Sequence, residues 1–184
     1  MRRIVGSGVI AAALTAAAVV AWVNVLAGPP AKGGTALVVV YAPPTIEIDD
    51  RVGLTHAEVA AEVGRLVNDQ RGWRADMDLF TLRVVQPGVG GTTRMDSTGY
   101  IGMAHFNARI ALVTVEAWTV LGSRFAAVGG TLEDQRTWIV LHELGHMLGH
   151  REHTDCPAPG QPAPVMRGTN WKLGGCAYNV WPNP

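Results

Sequence analysis

A cluster of histidines in the last third of the chain constrains its fold more than any other feature. Four of the six histidines fall within residues 142–153, which read HELGHMLGHREH. On a helix, His142 and His146 lie on the same face, so two imidazole nitrogens can reach one Zn²⁺ at about 2.0–2.1 Å. Glu143 then lies at their flank, where it can face a water molecule on the metal. We therefore expect a helix here with one face open to a ligand.

Two capping patterns predict the helices of the chain. Thr55 and Glu58 form a capping box that starts a first helix, which we expect to run through about Gln70. Thr131 and Asp134 form a second possible box, eight residues before the histidine cluster begins. Apolar residues at helical spacing follow each start. They are Val59, Val63, Leu66 and Val67 in the first helix and Trp138, Leu141, Leu144 and Leu148 in the second.

Three apolar runs predict strands. Thr35–Tyr41 is a β-branched run that ends before Pro43 and indicates a largely buried strand. Asp78–Gln86 and Arg109–Val115 predict two further strands. Strands and helices in this order favour an α+β domain, in which a twisted sheet packs against two helices.

A glycine after the motif predicts a chain reversal that brings in a third ligand. Gly149 follows the helical pattern, and glycine adopts a positive φ at a helix end at little cost. The third ligand should lie just beyond this turn. His150, Glu152 and His153 are the three candidates.

The motif resembles that of the metzincin clan of zinc endopeptidases, which reads HExxHxxGxxH. The register of that pattern places the third ligand at Glu152, and His153 is one residue further on. We favour His153 with a one-residue insertion in the turn, because imidazole is the commoner zinc ligand in such sites. Glu152 is the next candidate, and His150 lies too close to the turn to be favoured.

Residues downstream of the motif extend this resemblance. The run Ala163–Met166 (APVM) looks like the Met-turn that lies under the metal in the clan, with Met166 as its methionine. The chain is also similar, over about residues 138–182, to an uncharacterised group of exported bacterial zincin-like proteins with the motifs HExGHxLGHxH, APVM and GC followed by WP. The resemblance implies a zincin-like α+β fold with a mostly parallel sheet. It also implies an extended substrate along an edge strand, for which Arg109–Val115 is the candidate by position.

The first 27 residues differ in composition from the rest of the chain. Arg2 and Arg3 precede an apolar run that ends at Val25-Leu26-Ala27, which predicts a signal peptide or an uncleaved N-terminal membrane anchor. Residues 28–34 are rich in proline and glycine and predict a linker before a domain over residues 35–184. Both interpretations place the domain outside the cytoplasm, secreted or held at the cell membrane by the N-terminal segment alone.

Cysteine content and charge agree with an exported domain. Cys156 and Cys176 are the two cysteines, and in an oxidising compartment we expect them to form a disulfide that holds the C-terminal tail. Lys+Arg and Asp+Glu both number 15, so the charge balance argues against a nucleic-acid partner. We expect a monomer that acts on a peptide or protein.

Together these features predict a zinc-dependent endopeptidase. His142, His146 and His153 would hold one Zn²⁺, and Glu143 would act as general base toward a water molecule in the fourth position. Tyr178 could add a hydrogen bond to the oxyanion. Two alternatives remain at this point, a zinc hydrolase of a cell-wall amide and a non-catalytic zinc-stabilised binding module. Glu143 disfavours the second, because a purely structural site needs no base.

Overall fold

A computed structural model of the chain describes residues 39–97, 99–168 and 172–184. The predicted signal peptide or anchor (residues 1–27) and the predicted linker (residues 28–34) lie outside the described residues. Within the described part, no helix is both long and apolar enough to cross a membrane.

The fold is α+β, with one four-stranded sheet that is mostly parallel. The strands are β1 (Thr45–Ile48), β2 (Thr81–Val85), β3 (Gly102–His105) and β4 (Ile110–Thr114). Their spatial order is β1-β2-β4-β3. β1, β2 and β4 run parallel, whereas β3 pairs with β4 in the antiparallel direction and forms an edge of the sheet.

In the part of the chain that the structure describes, two long α-helices and two short ones accompany the sheet. The long ones are α1 (His56–Asn68) and α4 (Leu132–Met147), and the short ones are α2 (Val115–Thr119) and α3 (Ser123–Ala126). α1 contacts β1, α4 contacts β3 and β4, and the two long helices contact each other. The predicted boxes are present at both long helices, with Thr55 and Glu58 capping α1 and Thr131 and Asp134 capping α4.

The core lies between the sheet and the long helices. The buried stripe of α1 belongs to one core cluster with apolar residues of β2, β4 and α4. Fully buried side chains at its centre include Val59, Val63, Leu66, Leu82, Val84, Val113, Ile139, Leu141 and Leu144. This packing fixes the position of α4 against the sheet, and so the position of the histidines that it carries.

The first predicted strand is wrong in the part that the structure describes. Residues 39–44 form no strand, and the sheet begins instead at Thr45. The backbone N–H groups of Tyr41 and Ala42 donate to the side chains of Asn68 and Asp76 instead of to a neighbouring strand. This segment is therefore fixed to the end of α1 and to the loop before β2. The other two predicted strands are present in shortened form as β2 and β4.

The C-terminal tail is irregular and is held by a disulfide, as predicted. Cys156 and Cys176 are bonded, with their Cα atoms 5.6 Å apart. Next to the disulfide, the Ala163 N–H donates to Ala177 O at 2.9 Å, and Asn179 Nδ2 donates to Ala163 O at 2.9 Å. These bonds hold the tail against the turn that precedes Met166.

Candidate metal centre

Helix α4 carries the first two histidines on a buried framework. His142, Glu143 and His146 occupy its C-terminal half, and all three are buried. After Leu148 the chain reverses at Gly149, which has a φ of 103°. The Gly149 N–H donates to His146 O and the His150 N–H donates to Gly145 O, each at 3.1 Å. These are the two bonds of a Schellman motif, so the predicted glycine turn is present and sends the chain back along the helix.

A backbone carbonyl orients the ring of His142. Its Nδ1 lies 2.8 Å from Val165 O, and because a carbonyl can only accept, Nδ1 carries the proton. The lone pair of Nε2 then points away from the helix. Burial lowers the pKa of His142 to about 3. The hydrogen bond to Val165 raises the pKa, but its effect is smaller than that of burial. His142 is therefore a neutral imidazole, the form that binds a metal.

His146 is oriented in the same way by the turn itself. Its Nδ1 donates to His150 O at 2.7 Å, which again leaves Nε2 free. Burial is the main cause that lowers the pKa of His146. The His150 side chain stacks on Trp73, with ring centroids 4.5 Å apart. His150 thus contributes its backbone carbonyl, and its imidazole faces Trp73.

The third histidine beside this pair is His153. Its Nε2 lies 3.2 Å from Nε2 of His142, and its ring centroid lies 5.2 Å from that of His146. His153 is exposed and lies in the loop 149–156, which the Thr154 N–H ties to Met166 O at 3.0 Å. We call His142, His146 and His153 the three-histidine group.

The donor set of this group fits a metal ion. One nitrogen from each ring lies within 4.8 Å of the others, so the group could hold one ion. Glu152 is outside the group, although the metzincin register points to it. Imidazole nitrogens are typical ligands of Zn²⁺ and of other divalent transition metals.

Glu143 is a buried carboxyl group next to the group. It is 4% exposed, and burial raises its pKa to about 8. The side chain lies against strand β3 at Gly102, where an added Cβ would overlap both Glu143 Oε1 and Ile139 Cδ1. A side chain at this position would require Glu143 or Ile139 to move, so the glycine allows the edge strand to lie close to the carboxyl group. A nearby cation would favour the ionised form of Glu143, since an opposite charge offsets the cost of burial.

The predicted Met-turn lies directly beneath the helix. Met166 is buried, and a Cβ added at Gly145 would lie 2.5 Å from its sulfur and 2.6 Å from Trp73 Cζ2. Val165 O, one residue earlier, also accepts a hydrogen bond from Trp138 Nε1 at 3.0 Å. The turn therefore packs on the helix and orients His142 through one carbonyl.

A cleft of about 330 Å³ opens above the three-histidine group. Strand β3 and the loops that flank it line one side, and α4 together with Arg151 and His153 lines the other. The prediction that Arg109–Val115 forms the edge strand is wrong. That segment is β4, which lies between β2 and β3, so the strand at the cleft is Gly102–His105.

Tyr178 is also placed differently from the expectation. Its ring contacts Phe125 with centroids 6.0 Å apart, and its hydroxyl group lies near Gly130, just before the start of α4. Burial is the main cause that raises the pKa of this hydroxyl group. Tyr178 does not line the cleft, so the structure gives no support for a hydrogen bond from it to the oxyanion.

Three residues at the site were not predicted from the sequence. Gly102 lies against Glu143, Trp73 contacts both Gly145 and His150, and Phe106 lies edge-on to His146 with ring centroids 6.1 Å apart. All three come from segments far from the motif in sequence. No local pattern could have identified them, because only the tertiary fold brings them to α4.

The family model of a protein of unknown function, DUF3152, matches residues 12–175. No curated protein and no solved structure matches the chain. The match includes α4, the loop 149–156 and the turn at Met166, so the family model spans the candidate metal centre.

Proposed function

We propose that this chain, which belongs to the DUF3152 family, is an exported zinc-dependent endopeptidase with a zincin-like fold. The observation that carries the proposal is Glu143, a buried carboxyl group beside three convergent imidazoles at the floor of an open cleft. A site that served only to stabilise the fold would need no such group and no cleft.

The residues of the chain divide the work of peptide hydrolysis between them. His142, His146 and His153 would hold the ion, and Val165 O and His150 O keep two of the rings in the correct tautomer. When bound, Zn²⁺ would supply Lewis-acid chemistry that acidifies a water molecule and polarises the scissile carbonyl. Glu143 would take a proton from the attacking water and return it to the leaving amine. Burial raises the pKa of Glu143, and the positive charge of a bound ion would lower it again, so that the carboxylate form could accept the proton.

The two sides of the cleft suit an extended polypeptide. β3 pairs with β4 along one edge, and among the described residues no strand pairs with its other edge. An extended peptide could add to that free edge through backbone hydrogen bonds. The cleft is also lined by apolar side chains of α4 and neighbouring segments, which favours uptake of side chains from the substrate. They include Met95, Phe125, Trp138 and Ile139.

Export is supported by the disulfide and by the composition of the N-terminal segment. Disulfides persist in oxidising compartments and are rare in the cytosol. We therefore propose that the domain acts outside the cytoplasm, either secreted or anchored by residues 1–27.

The decisive experiment compares wild-type protein with Glu143→Ala. The variant should fold, bind one equivalent of zinc and lose all cleavage of a broad peptide library, because the general base is absent. Glu152→Gln is the matched control, since it changes an exposed glutamate nearby that the structure keeps out of the three-histidine group. Zinc content is measured by elemental analysis and cleavage by mass spectrometry.

Two results would overturn the proposal. Wild-type protein that binds zinc but cleaves no peptide would favour a cell-wall amide hydrolase or a zinc-stabilised binding module. Cleavage by Glu143→Ala at the wild-type rate would remove Glu143 from the mechanism.

A further inference from the structure

Arg151 places a positive charge beside the three-histidine group. It lies two residues before His153 and lines the cleft. Its guanidinium group lies over the ring of Phe106, 5.2 Å from the ring centroid. Phe106 follows β3 and Arg151 follows α4, so this contact joins the two sides of the cleft. Because Phe106 also contacts His146, the contact lies next to the candidate metal centre.

No acidic side chain of the described residues pairs with Arg151. Arginines elsewhere in this part of the chain do form ion pairs, as Arg83 does with Glu47 and Arg94 with Glu116. Two acidic side chains line the cleft, and neither forms an ion pair with Arg151. Asp96 accepts a hydrogen bond from the Ser123 N–H at 3.0 Å, and Glu143 lies against Gly102. The cleft therefore has an uncompensated cation at one of its margins.

The contact with Phe106 leaves the hydrogen-bonding capacity of Arg151 available. Among the described residues, no group accepts a hydrogen bond from the Arg151 guanidinium group. Two N–H groups of a guanidinium can bind both oxygens of a carboxylate. Phe106 thus restrains the long side chain without occupying its donors, which lowers the entropy lost when a ligand binds.

We propose that Arg151 is a specificity residue that binds a carboxylate group of the substrate close to the scissile bond. The proposal rests on the proposed peptidase function. The Arg151 guanidinium lies 5.2 Å from the Phe106 ring centroid, and the Phe106 and His146 ring centroids lie 6.1 Å apart. Each of these distances is shorter than the length of two residues of extended chain, which is about 7 Å. The carboxylate should therefore lie within about four residues of the bond that is cleaved. It belongs either to an aspartate or glutamate side chain or to the C-terminus of the substrate.

The test uses paired peptides that differ in one carboxylate. Starting from a peptide that the wild-type protein cleaves, glutamate and glutamine are compared at each of four positions on either side of the cleaved bond. A free C-terminus is compared with an amidated one in the same peptides. We expect a preference of about tenfold or more in kcat/KM for the carboxylate at one position, since charge-assisted hydrogen bonds are about twice as strong as neutral ones.

Variants assign that preference to Arg151. Arg151→Gln should lower kcat/KM for the glutamate peptide to that for the glutamine peptide, and Arg151→Glu should favour lysine at the same position. Arg71→Gln is the matched control, because the Arg71 guanidinium also lies over an aromatic ring, that of Trp181, outside the residues that line the cleft. Zinc content of every variant is measured, so that a change in the metal centre is recognised.

The outcomes separate this proposal from the one on which it depends. A preference in the side-chain series identifies an internal acidic residue, and a preference for the free C-terminus identifies a terminal carboxylate. If peptides are cleaved but the preference is absent, or persists in Arg151→Gln, Arg151 does not bind a substrate carboxylate and the peptidase function stands. If no peptide is cleaved, both proposals fail together.

Discussion

The two histidines on α4 and the one in the loop 149–156 differ in burial and in the contacts that fix their side chains. His142 and His146 are buried on α4, and each ring is fixed by a backbone carbonyl. His153 is exposed on the loop 149–156, which contains no helix or strand. The core that packs the sheet against α4 thus fixes the positions of two candidate ligands.

The position of the third candidate ligand, His153, depends on local restraints instead. The loop 149–156 begins at the Schellman turn, is tied to Met166 through the Thr154 N–H and ends at the disulfide. These restraints lie on either side of His153 within a few residues. Helix α4 therefore positions two members of the three-histidine group, whereas the disulfide-linked tail positions the third. Variants on α4 and in the tail should therefore affect zinc affinity to different extents.

The largest effect is expected from removing a ligand on the helical side. Zinc binding by three or four protein ligands contributes about 12 kcal/mol, so losing one should cost about 4 kcal/mol, or a thousandfold in affinity. His142→Ala should reach this loss. His153→Ala should lose less, because the rigid pair on α4 remains. Competition with a chromophoric chelator measures both affinities.

Glu152→Gln and His150→Gln are the controls for this prediction. Neither side chain belongs to the three-histidine group, so both variants should keep zinc affinity close to that of the wild type. A severe loss in one of them, with His153→Ala unaffected, would assign the third ligand to that residue.

The disulfide should contribute about 3 kcal/mol, because it closes a loop of about 20 residues. The double variant Cys156→Ser, Cys176→Ser should lose this amount in the free energy of unfolding. It should also bind zinc more weakly, since His153 lies three residues from Cys156 and becomes less restrained. Urea unfolding with and without zinc measures both effects. If zinc affinity did not change, the tail would not help to position His153.

The charge state of Glu143 should appear in the pH dependence of stability without metal. The folded pKa of about 8 lies above the usual value of 4.5, so the folded state binds one more proton between these values. The contribution of Glu143 to the free energy of unfolding is therefore fully present below pH 4.5, and it is lost as the pH rises toward 8. Relative to Glu143→Gln, the wild type should lose about 1.4 kcal/mol per pH unit in this window.

This difference is measured by urea unfolding of both metal-free proteins at several pH values. A constant difference between Glu143→Gln and the wild type would mean that Glu143 is not perturbed by burial.

The smallest effect is expected at the far end of α4. Thr131→Ala removes the side chain that caps the Asp134 N–H and should cost about 1 kcal/mol of stability. Zinc affinity should not change, because the cap lies at the opposite end of the helix from His146. Thr55→Ala at α1 is a matched control with a similar expected cost. A loss of zinc affinity in Thr131→Ala alone would show that the ends of α4 are coupled.

Local signals predicted the parts of the fold that short segments determine. Both long helices were predicted from their capping boxes, because each box joins residues only three positions apart. The turn at Gly149 was predicted for the same reason, since a helix end with a positive φ favours glycine.

Features that depend on distant partners were not predicted. Strand β3 reads GMAH, which has no β-branched residue, and it exists because it pairs with β4 from Gly102 to His105. The edge of the sheet was therefore assigned to the wrong strand. Conversely, the β-branched run at residues 39–41 forms no strand, because side chains of α1 and of the following loop bind its backbone.

Gly145 occupies a position at which the HExxH pattern allows any residue. In this protein, that position lies against Met166 and Trp73. Gly145 carries no metal-binding group, yet a side chain at this position would require the methionine or the indole to shift. The residue at this place in the HExxH pattern is thus set by steric volume and not by coordination chemistry. Among members of the family, we expect positions 73, 145 and 166 to covary in size, so that an alignment of these three positions would test the fold without any assay of activity.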